Sequence, residues 1–284
     1  MPLQLAGGEN NAWTNNDITN YYLTVPRQNV ETGFWLESDR MLSLDFSERS
    51  LEVQRGVVME EFKQRCLNQP YGDIGHLLRP LAYQTHPYQW PTIGKELSHI
   101  ANATLEEVKA FFFRFYAPNN AILAVTGNIS FEEAVELTEK WFGSVPRREV
   151  PVRNLPQEPE QTEERRLTVE RNVPLDSLFM AYHMCDHRHP DYYVFDILSD
   201  VLSNGRSSRL NQHLVQEKQL FSSIDAYISG SVDAGLFHIA GKPSAGVSLE
   251  RAEAAVRDEL DRLQQELVDG QELEKVKNKL SLIH

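Results

Sequence analysis

A proline- and glutamate-rich segment divides this 284-residue chain into two halves. Residues 151–164 read PVRNLPQEPEQTEE, and three prolines among acidic and amide side chains leave little that could pack into a core. Stretches with periodic apolar residues lie on both sides of this segment. The sequence therefore predicts two domains, at residues 1–150 and 165–284, joined by an interdomain linker at 151–164.

Strand-like and helix-like patterns are mixed in both halves. The predicted strands are 11–14, 21–25, 121–126, 167–173, 178–183, 222–227 and 236–240. The predicted helices are 30–44, 51–66, 190–202, 207–217, 249–267, one starting near Glu272, and two that begin after the capping residues Thr104 and Ser130. This order indicates the α+β class, with a sheet packed against helices in each domain.

The two halves also share one order of elements. The run from Tyr21 to the helix at 51–66 matches the run from Leu236 to the helix near Glu272, which predicts a duplicated domain. About 55 residues precede the strand at Ser222 in the second half, but only about ten precede Asn11 in the first. We therefore expect two homologous sheet-plus-helices domains, both incomplete, with the opening strands and helix missing from the first.

The charge of the chain excludes some classes of partner. The formal net charge is −13, whereas nucleic acids and anionic membranes need clustered Lys and Arg. No apolar run approaches the length of a membrane span, and residues 1–20 lack the pattern of a signal peptide. The sequence predicts no nucleic-acid partner, no membrane partner and a cytoplasmic location, with the periplasm left open.

One run, HMCDHRH, is dense in potential metal ligands. It places His183, Cys185, His187 and His189 at alternate positions, which share one side only if a strand continues through them. Pro190 follows His189 and favours a loop instead. We therefore do not expect a physiological metal site at this run.

Seven blocks of the sequence carry a family resemblance. They are GGENNAWTNNDITNYYLTVP from residue 7, ESDRM at 37–41, VVMEEFKQR at 57–65, HPY at 86–88, YAPNNAILAVTGN at 116–128, GRSSRL at 205–210 and LEKVKNKL at 273–280. In this order they resemble the insulinase/pitrilysin family of zinc metallopeptidases, the inverted zincins, and particularly its mitochondrial-processing-peptidase-like branch. The resemblance implies a processing-peptidase-like fold and the activity of a zinc-dependent endopeptidase.

The resemblance implies a specific role for one glutamate. In the family, an H-x-x-E-H helix supplies two zinc-binding histidines and a general-base glutamate that activates the zinc-bound water. The third ligand lies downstream on the helix of the V-V-x-E-E block, which corresponds here to Glu61. The residue pattern alone also allows a surface ion pair between Glu61 and Arg65, four residues apart.

Three departures from the family pattern bear on activity. None of the nine histidines frames an H-x-x-E-H motif, so this polypeptide cannot build the family's zinc site by itself. Gln54 stands, seven residues before the ligand, where the family usually has a glutamate that supports the metal-binding groups; an amide can hydrogen-bond but supplies no charge. Val215 and Ser222 stand where substrate-gripping members carry arginine and tyrosine. We therefore interpret the chain as a fragment, inactive by itself, with no catalytic residue of its own, of a protein that binds one zinc ion.

The resemblance further implies how a substrate and a partner would bind. An extended peptide adds to an exposed sheet edge in the family, and the matching edge here is Asn11, Ala12, Trp13 and Thr14. The alternative for this segment is an ordinary strand end. Because two-subunit members divide zinc and gripping residues between chains, we expect a homo- or heterodimer with a related subunit. A non-catalytic peptidase-family subunit and an unrelated α+β binding module are the competing functions.

Overall fold

A computed structural model describes residues 2–281, with side chains through residue 278. It contains two compact units: unit 1 combines Met1–Asn68 with Trp90–Gln157, and unit 2 combines Gln69–Gln89 with Glu158–His284. The later boundary falls inside the predicted linker. The stretch 69–89, by contrast, packs with the second half of the chain, although the sequence predicts residues 1–150 as one domain.

Helices and strands are mixed along the chain. The elements are α1 (Pro2–Leu5), β1 (Glu9–Thr14), β2 (Thr19–Thr24), α2 (Val30–Leu42), α3 (Glu48–Phe62), α4 (Ile74–Ala82), α5 (Leu97–Ala101), α6 (Leu105–Phe115), α7 (Phe131–Phe142), β3 (Leu178–His183), α8 (Tyr192–Ser203), β4 (Phe221–Ser229), β5 (Leu236–Pro243), α9 (Leu249–Gln265) and α10 (Gly270–Ser281). π-helical segments at Lys63–Leu67 and Asn211–Glu217 and short 3-10 turns complete them. None of the described helices is both long and apolar enough to span a lipid bilayer.

Unit 1 is built from a two-stranded hairpin and helices. Strands β1 and β2 pair antiparallel, and α2 packs against α7 while α3 packs against α5. The hairpin approaches α2 closely at Gly33, where an added Cβ would lie 2.8 Å from a methyl carbon of Leu23. Any larger residue at position 33 would have to push Leu23 aside.

Unit 2 contains a three-stranded antiparallel sheet in the order β3–β5–β4. Its main core includes Leu202, Phe221, Ile239 and Val256, which are at most 1% exposed and come from helices α8 and α9 and from the sheet. The order β4–β5–α9–α10 repeats the order β1–β2–α2–α3 of unit 1. Mixed helices and sheet are thus present in both units, as the sequence predicts.

Two predicted strands are wrong. Residues 121–126 and 167–173 form no strand, and most of their side chains are exposed, with Ile122 98% exposed. A strand needs a neighbour to accept and donate its backbone hydrogen bonds, and no described strand lies beside either segment. The composition of both segments is compatible with a strand, but the neighbouring strand that a sheet requires is not among the described residues.

Helix α4 has no counterpart among the predicted elements. It contains Pro80 in its interior, which removes one backbone donor and argues against a helix in any sequence-based reading. Because Pro80 stands two residues before the end of α4, the missing hydrogen bond falls in the last turn of the helix. Packing within unit 2 therefore overrides the local signal.

The predicted cap of α6 is formed and supports a stability prediction. The Thr104 hydroxyl accepts from the Glu107 N–H at 3.2 Å, and the Glu107 carboxylate accepts from the Thr104 N–H at 2.8 Å. We expect Thr104→Ala to lower the free energy of unfolding of unit 1 by about 1 kcal/mol. Urea denaturation followed by tryptophan fluorescence reports on unit 1, because all four tryptophans lie there.

The matched control for this prediction is Ser98→Ala. The Ser98 hydroxyl donates to the exposed carboxylate of Glu96, so its removal should change the unfolding free energy by less than about 0.5 kcal/mol. Equal effects of the two substitutions would show that the Thr104 cap contributes nothing specific.

Candidate functional site

The predicted zinc ligand lies near the end of α3. This helix begins at the Ser47 cap, whose hydroxyl accepts from the Ser50 N–H, and Glu61 is its penultimate residue. The Glu61 side chain is 42% exposed, and its Oε1 lies 3.0 Å from a guanidinium nitrogen of Arg65. The surface ion pair that the sequence allowed is therefore formed, and the role of Glu61 as a metal ligand stays a prediction.

The face of α3 that leads to Glu61 is open. Val53 and Val57 are 57% and 56% exposed, and Gln54 is also exposed. At Gly56 an added Cβ would meet nothing within 4 Å. Apolar and small residues are thus presented, beside a carboxylate, on a helix face that no described residue covers.

The described residues do not by themselves form a zinc site. Catalytic zinc sites hold the metal with three protein ligands, usually His, Asp, Glu or Cys. Within residues 2–278 no three such side chains lie close enough to share an ion. Glu61 can contribute one carboxylate, and no step of catalysis follows from this chain alone.

The predicted substrate edge is an exposed strand of the hairpin. Strand β1 pairs only with β2 among the described strands, and every residue from Glu9 to Thr14 is exposed, with Trp13 at 47%. The Ala12 N–H donates to the side-chain oxygen of Asn11 at 2.8 Å. A peptide that needed this amide would have to displace Asn11, and the substrate role of Asn11–Thr14 stays a prediction.

The histidines of the HMCDHRH run make separate contacts. His183 lies in β3 and contacts the Ala82 carbonyl at 2.7 Å, whereas His187 contacts the Ser231 carbonyl at 2.9 Å. His189 accepts from the Asp191 N–H. Burial, together with the nearby carboxylate of Asp191, raises the pKa of the Cys185 thiol. The run therefore supplies loop contacts around β3.

The two second-domain blocks of the resemblance contact each other. Arg209 of the GRSSRL block forms a two-pronged ion pair with Glu272, at 2.8 Å, at the start of α10. Lys275 of the LEKVKNKL block donates to the Ser207 hydroxyl at 3.0 Å. These contacts join the turn after α8 to α10.

The positions expected to grip substrate hold other side chains. Val215 packs against the main core of unit 2, and the Ser222 hydroxyl on β4 donates to the Lys242 carbonyl at 3.1 Å. Neither offers a cation or a phenol to a substrate.

A cluster in unit 1 joins three other blocks. The hydroxyls of Tyr21 and Tyr116 share a hydrogen bond, and the Arg40 guanidinium lies 4.3 Å from the centre of the Tyr21 ring. Arg148 donates to the backbone carbonyls of Tyr116 and Met41. Burial and the bond from Tyr21 raise the pKa of Tyr116, so its hydroxyl stays protonated at neutral pH. Sequence reasoning missed Arg148, which lies outside every block.

Curated relatives are named as zinc proteases. The chain is 31% identical over 274 residues to the zinc protease PqqE of Helicobacter pylori, covering 95% of this chain and 62% of that protein. It is 27% identical over 275 residues to the uncharacterized zinc protease YmxG of Bacillus subtilis, covering 96% and 65%. The chain therefore spans less than two thirds of the length of these curated relatives.

Solved structures have the same fold. A protease from Helicobacter pylori superposes with a TM-score of 0.90 at 29% identity, over 99% of this chain and 68% of that chain. The peptidase M16 inactive domain from Pseudomonas fluorescens gives 0.86 at 21% identity over 99% and 68%, and pitrilysin gives 0.71 at 19% over 99% and 31%. These likenesses confirm the predicted α+β fold class.

The family assignment rests on more than half of the chain. Residues 102–280 match the family model described as the peptidase M16 inactive domain. The motif blocks, the zinc-protease relatives and the fold agree with this match. The chain therefore belongs to the M16 family of peptidases, the insulinase/pitrilysin family that its motifs resemble.

Proposed function

We propose that this chain is part of a zinc-dependent endopeptidase that cleaves peptides or unfolded segments, and that Glu61 supplies one ligand to its zinc ion. The observation that carries the proposal is the open face of α3, on which Glu61 follows the exposed Val53 and Val57. A carboxylate of this kind is a suitable zinc ligand once its partner cation turns away. The zinc-protease names of the relatives support the same activity.

The proposed substrate contact is the edge of β1. Its backbone groups on the side away from β2 have no strand partner among the described residues, and its side chains are exposed. Strand addition would bind an extended peptide through backbone hydrogen bonds and make few demands on sequence. Asn11, which caps the Ala12 amide, would act as the group that a peptide displaces.

A related subunit would complete the enzyme. Val215 and Ser222 provide no gripping arginine and tyrosine, so a homo- or heterodimer in which a second peptidase-like chain supplies them is part of the proposal. The cytoplasm is the proposed location. Activity of the complete protein as a strict monomer would contradict the dimer.

Neighbouring glutamates provide a sharp test of the metal role. Glu60 pairs with Lys63 and Glu61 with Arg65, so both carry one local ion pair on the same helix. In the product of the complete open reading frame, we expect Glu61→Gln to weaken zinc binding by roughly 100-fold or more and to abolish peptide cleavage. Glu60→Gln should leave both unchanged. Zinc content by mass spectrometry and cleavage of an unfolded peptide are the two readouts.

The alternative is a non-catalytic family subunit with a structural or regulatory role. This alternative is supported by the description of the matching family domain as inactive. A complete protein that binds no zinc, with Glu61→Gln and Glu60→Gln both without effect, would establish this alternative and refute the peptidase.

A further inference from the structure

Unit 2 contains three segments that contact one another away from its main core. The arm is residues 69–89, which follow the Glu61 helix and its π-helical end in the sequence. The strap is residues 158–175, the part of the chain that begins inside the predicted linker. The turn loop is residues 230–235, which connects β4 to β5. All three have hydrogen bonds that the sequence pattern did not indicate.

The strap binds the arm through one carboxylate. Glu158 accepts from the backbone N–H groups of Gln84, Thr85 and His86 at 2.7, 2.9 and 2.9 Å, and from the Thr85 hydroxyl at 3.1 Å. Partial burial by itself raises the pKa of Glu158, but the backbone hydrogen bonds from His86, Gln84 and Thr85 outweigh it and hold the pKa below its ordinary value. Glu158 is therefore a charged acceptor that three consecutive amides of this turn share.

The arm in turn binds the turn loop through a closed cycle of hydrogen bonds. The His86 Nε2 lies 3.0 Å from a carboxylate oxygen of Asp233, and the Asp233 N–H donates to the Tyr88 hydroxyl at 3.1 Å. The Tyr88 N–H donates to the His86 Nδ1 at 3.2 Å and closes the cycle. Because Nδ1 accepts, the proton of the neutral ring is on Nε2 and is donated to Asp233.

The arm side of these contacts is buried although it is polar, whereas the Asp233 side chain is 40% exposed. Tyr83, His86 and Tyr88 are at most 4% exposed, and the Tyr83 hydroxyl donates to the Ala234 carbonyl at 3.0 Å. Together with Ala82 and Leu236, the two tyrosines form a hydrophobic cluster that is separate from the main core. Removing one member weakens such a network, since the buried members on the arm lose a partner.

His86 is the residue that joins the two sets of bonds. Its backbone N–H donates to Glu158, and its ring hydrogen-bonds to Asp233 and to the Tyr88 N–H.

Further contacts join the strap to the arm on either side of His86. Arg165 donates to the Leu81 carbonyl, Tyr71 donates to the Leu175 carbonyl, and Arg171 pairs with Asp73. Loosening the strap therefore moves the turn that holds the His86 ring.

We propose that the arm, the strap and the turn loop form a clasp that opens and closes as one cooperative unit, independently of the main core of unit 2. The clasp fastens the stretch of chain that follows the Glu61 helix. In this proposal, residues 158–164 of the predicted linker are held against the arm and do not act as a flexible connection.

Residue-resolved amide hydrogen exchange on the full chain tests the clasp. Five amides report on it: Gln84, Thr85, His86, Tyr88 and Asp233. We expect Glu158→Ala, on the strap side, and Asp233→Asn, on the loop side, each to speed exchange at all five amides by roughly tenfold. Glu163→Ala, an exposed carboxylate on the same strap, is the matched control and should change none of them.

The pattern of the response decides the proposal. If Glu158→Ala speeds exchange only at residues 84–86 and Asp233→Asn only at 88 and 233, the contacts are independent and there is no clasp. The proposal also fails if either variant speeds exchange at Ile239 and Val256 of the main core to the same extent as at the five amides. Should Glu158→Ala not fold, Glu158→Gln keeps the side-chain volume and is judged by the same pattern.

Discussion

Replacing Phe112 by alanine is expected to lower the free energy of unfolding of unit 1 by about 3–5 kcal/mol. The Phe112 side chain is 2% exposed, and its ring lies edge-on to Phe46 at 5.3 Å and stacks on Tyr116 at 5.1 Å. The Arg148 guanidinium lies 5.1 Å from its centre on the ring face. Alanine would remove these contacts together and leave a cavity that neighbouring rings cannot fill without changing rotamer.

The preceding residue supplies the control for this prediction. Phe111 is chemically identical, lies on the same helix and is 58% exposed, with one close ring contact to Phe115. Phe111→Ala should cost less than about 1 kcal/mol. Urea denaturation followed by tryptophan fluorescence measures both variants in unit 1. Losses of equal size would mean that burial of Phe112 does not govern the stability of this unit.

The same helix shows what the sequence could predict and what it could not. The spacing of Thr104 and Glu107 correctly predicts the start of α6, because capping is a local interaction between residues three apart. The apolar pattern does not distinguish Phe112 from Phe111. That difference depends on Phe46, which is distant in the sequence and carries no periodic signal.

The errors in the predicted fold have the same origin. Residues 121–126 and 167–173 have strand-like composition, yet a strand is defined by its neighbour, and neither has one among the described residues. The strands β1 and β2 were both predicted, at 11–14 and 21–25, and each has its pairing partner close by in the chain. Non-local partners also explain why the assignment of residues 69–89 to unit 2 was not foreseen: the bonds of His86 and Glu158 join residues more than seventy apart.

The candidate site was predicted in part. The sequence indicated that Glu61 lies on a helix and that it could pair with Arg65, and both features are present. It could not indicate that the face bearing Val53 and Val57 is uncovered, since helical periodicity predicts a buried stripe. The open face is the feature that gives Glu61 room to bind something other than Arg65.

The second large effect is expected at Glu259, a buried carboxylate on α9. It is 1% exposed, and its oxygens lie 2.7 Å from His213 Nδ1, 3.2 Å from Lys218 Nζ and 3.5 Å from a guanidinium nitrogen of Arg262. Glu259→Gln removes the charge that these three groups share, and we expect a loss of about 3 kcal/mol from the unfolding free energy of unit 2. The neighbouring Asp258 is exposed, so Asp258→Asn is the control and should be nearly neutral.

The readout must belong to unit 2, which has no tryptophan. Amide exchange at Val256, one turn before Glu259 in the core, reports its opening free energy. Equal protection of this amide in wild type and Glu259→Gln at neutral pH would contradict the prediction, because the buried charge would then contribute nothing to the closed state.

The loss should also depend on pH, with a sign that follows from the surroundings of Glu259. Burial by itself raises the pKa of this carboxyl, but the hydrogen bonds from His213 and Lys218, with the charge of Arg262, outweigh burial and lower it below 4.5. A lowered folded-state pKa contributes stability above the unfolded pKa, and that contribution disappears as pH falls through the folded value. Wild type should therefore lose its advantage over Glu259→Gln as the pH is lowered from about 5 through the acid range. An advantage that persists undiminished at pH values where Glu259 is protonated would assign the stability to the shape of the side chain and not to its charge.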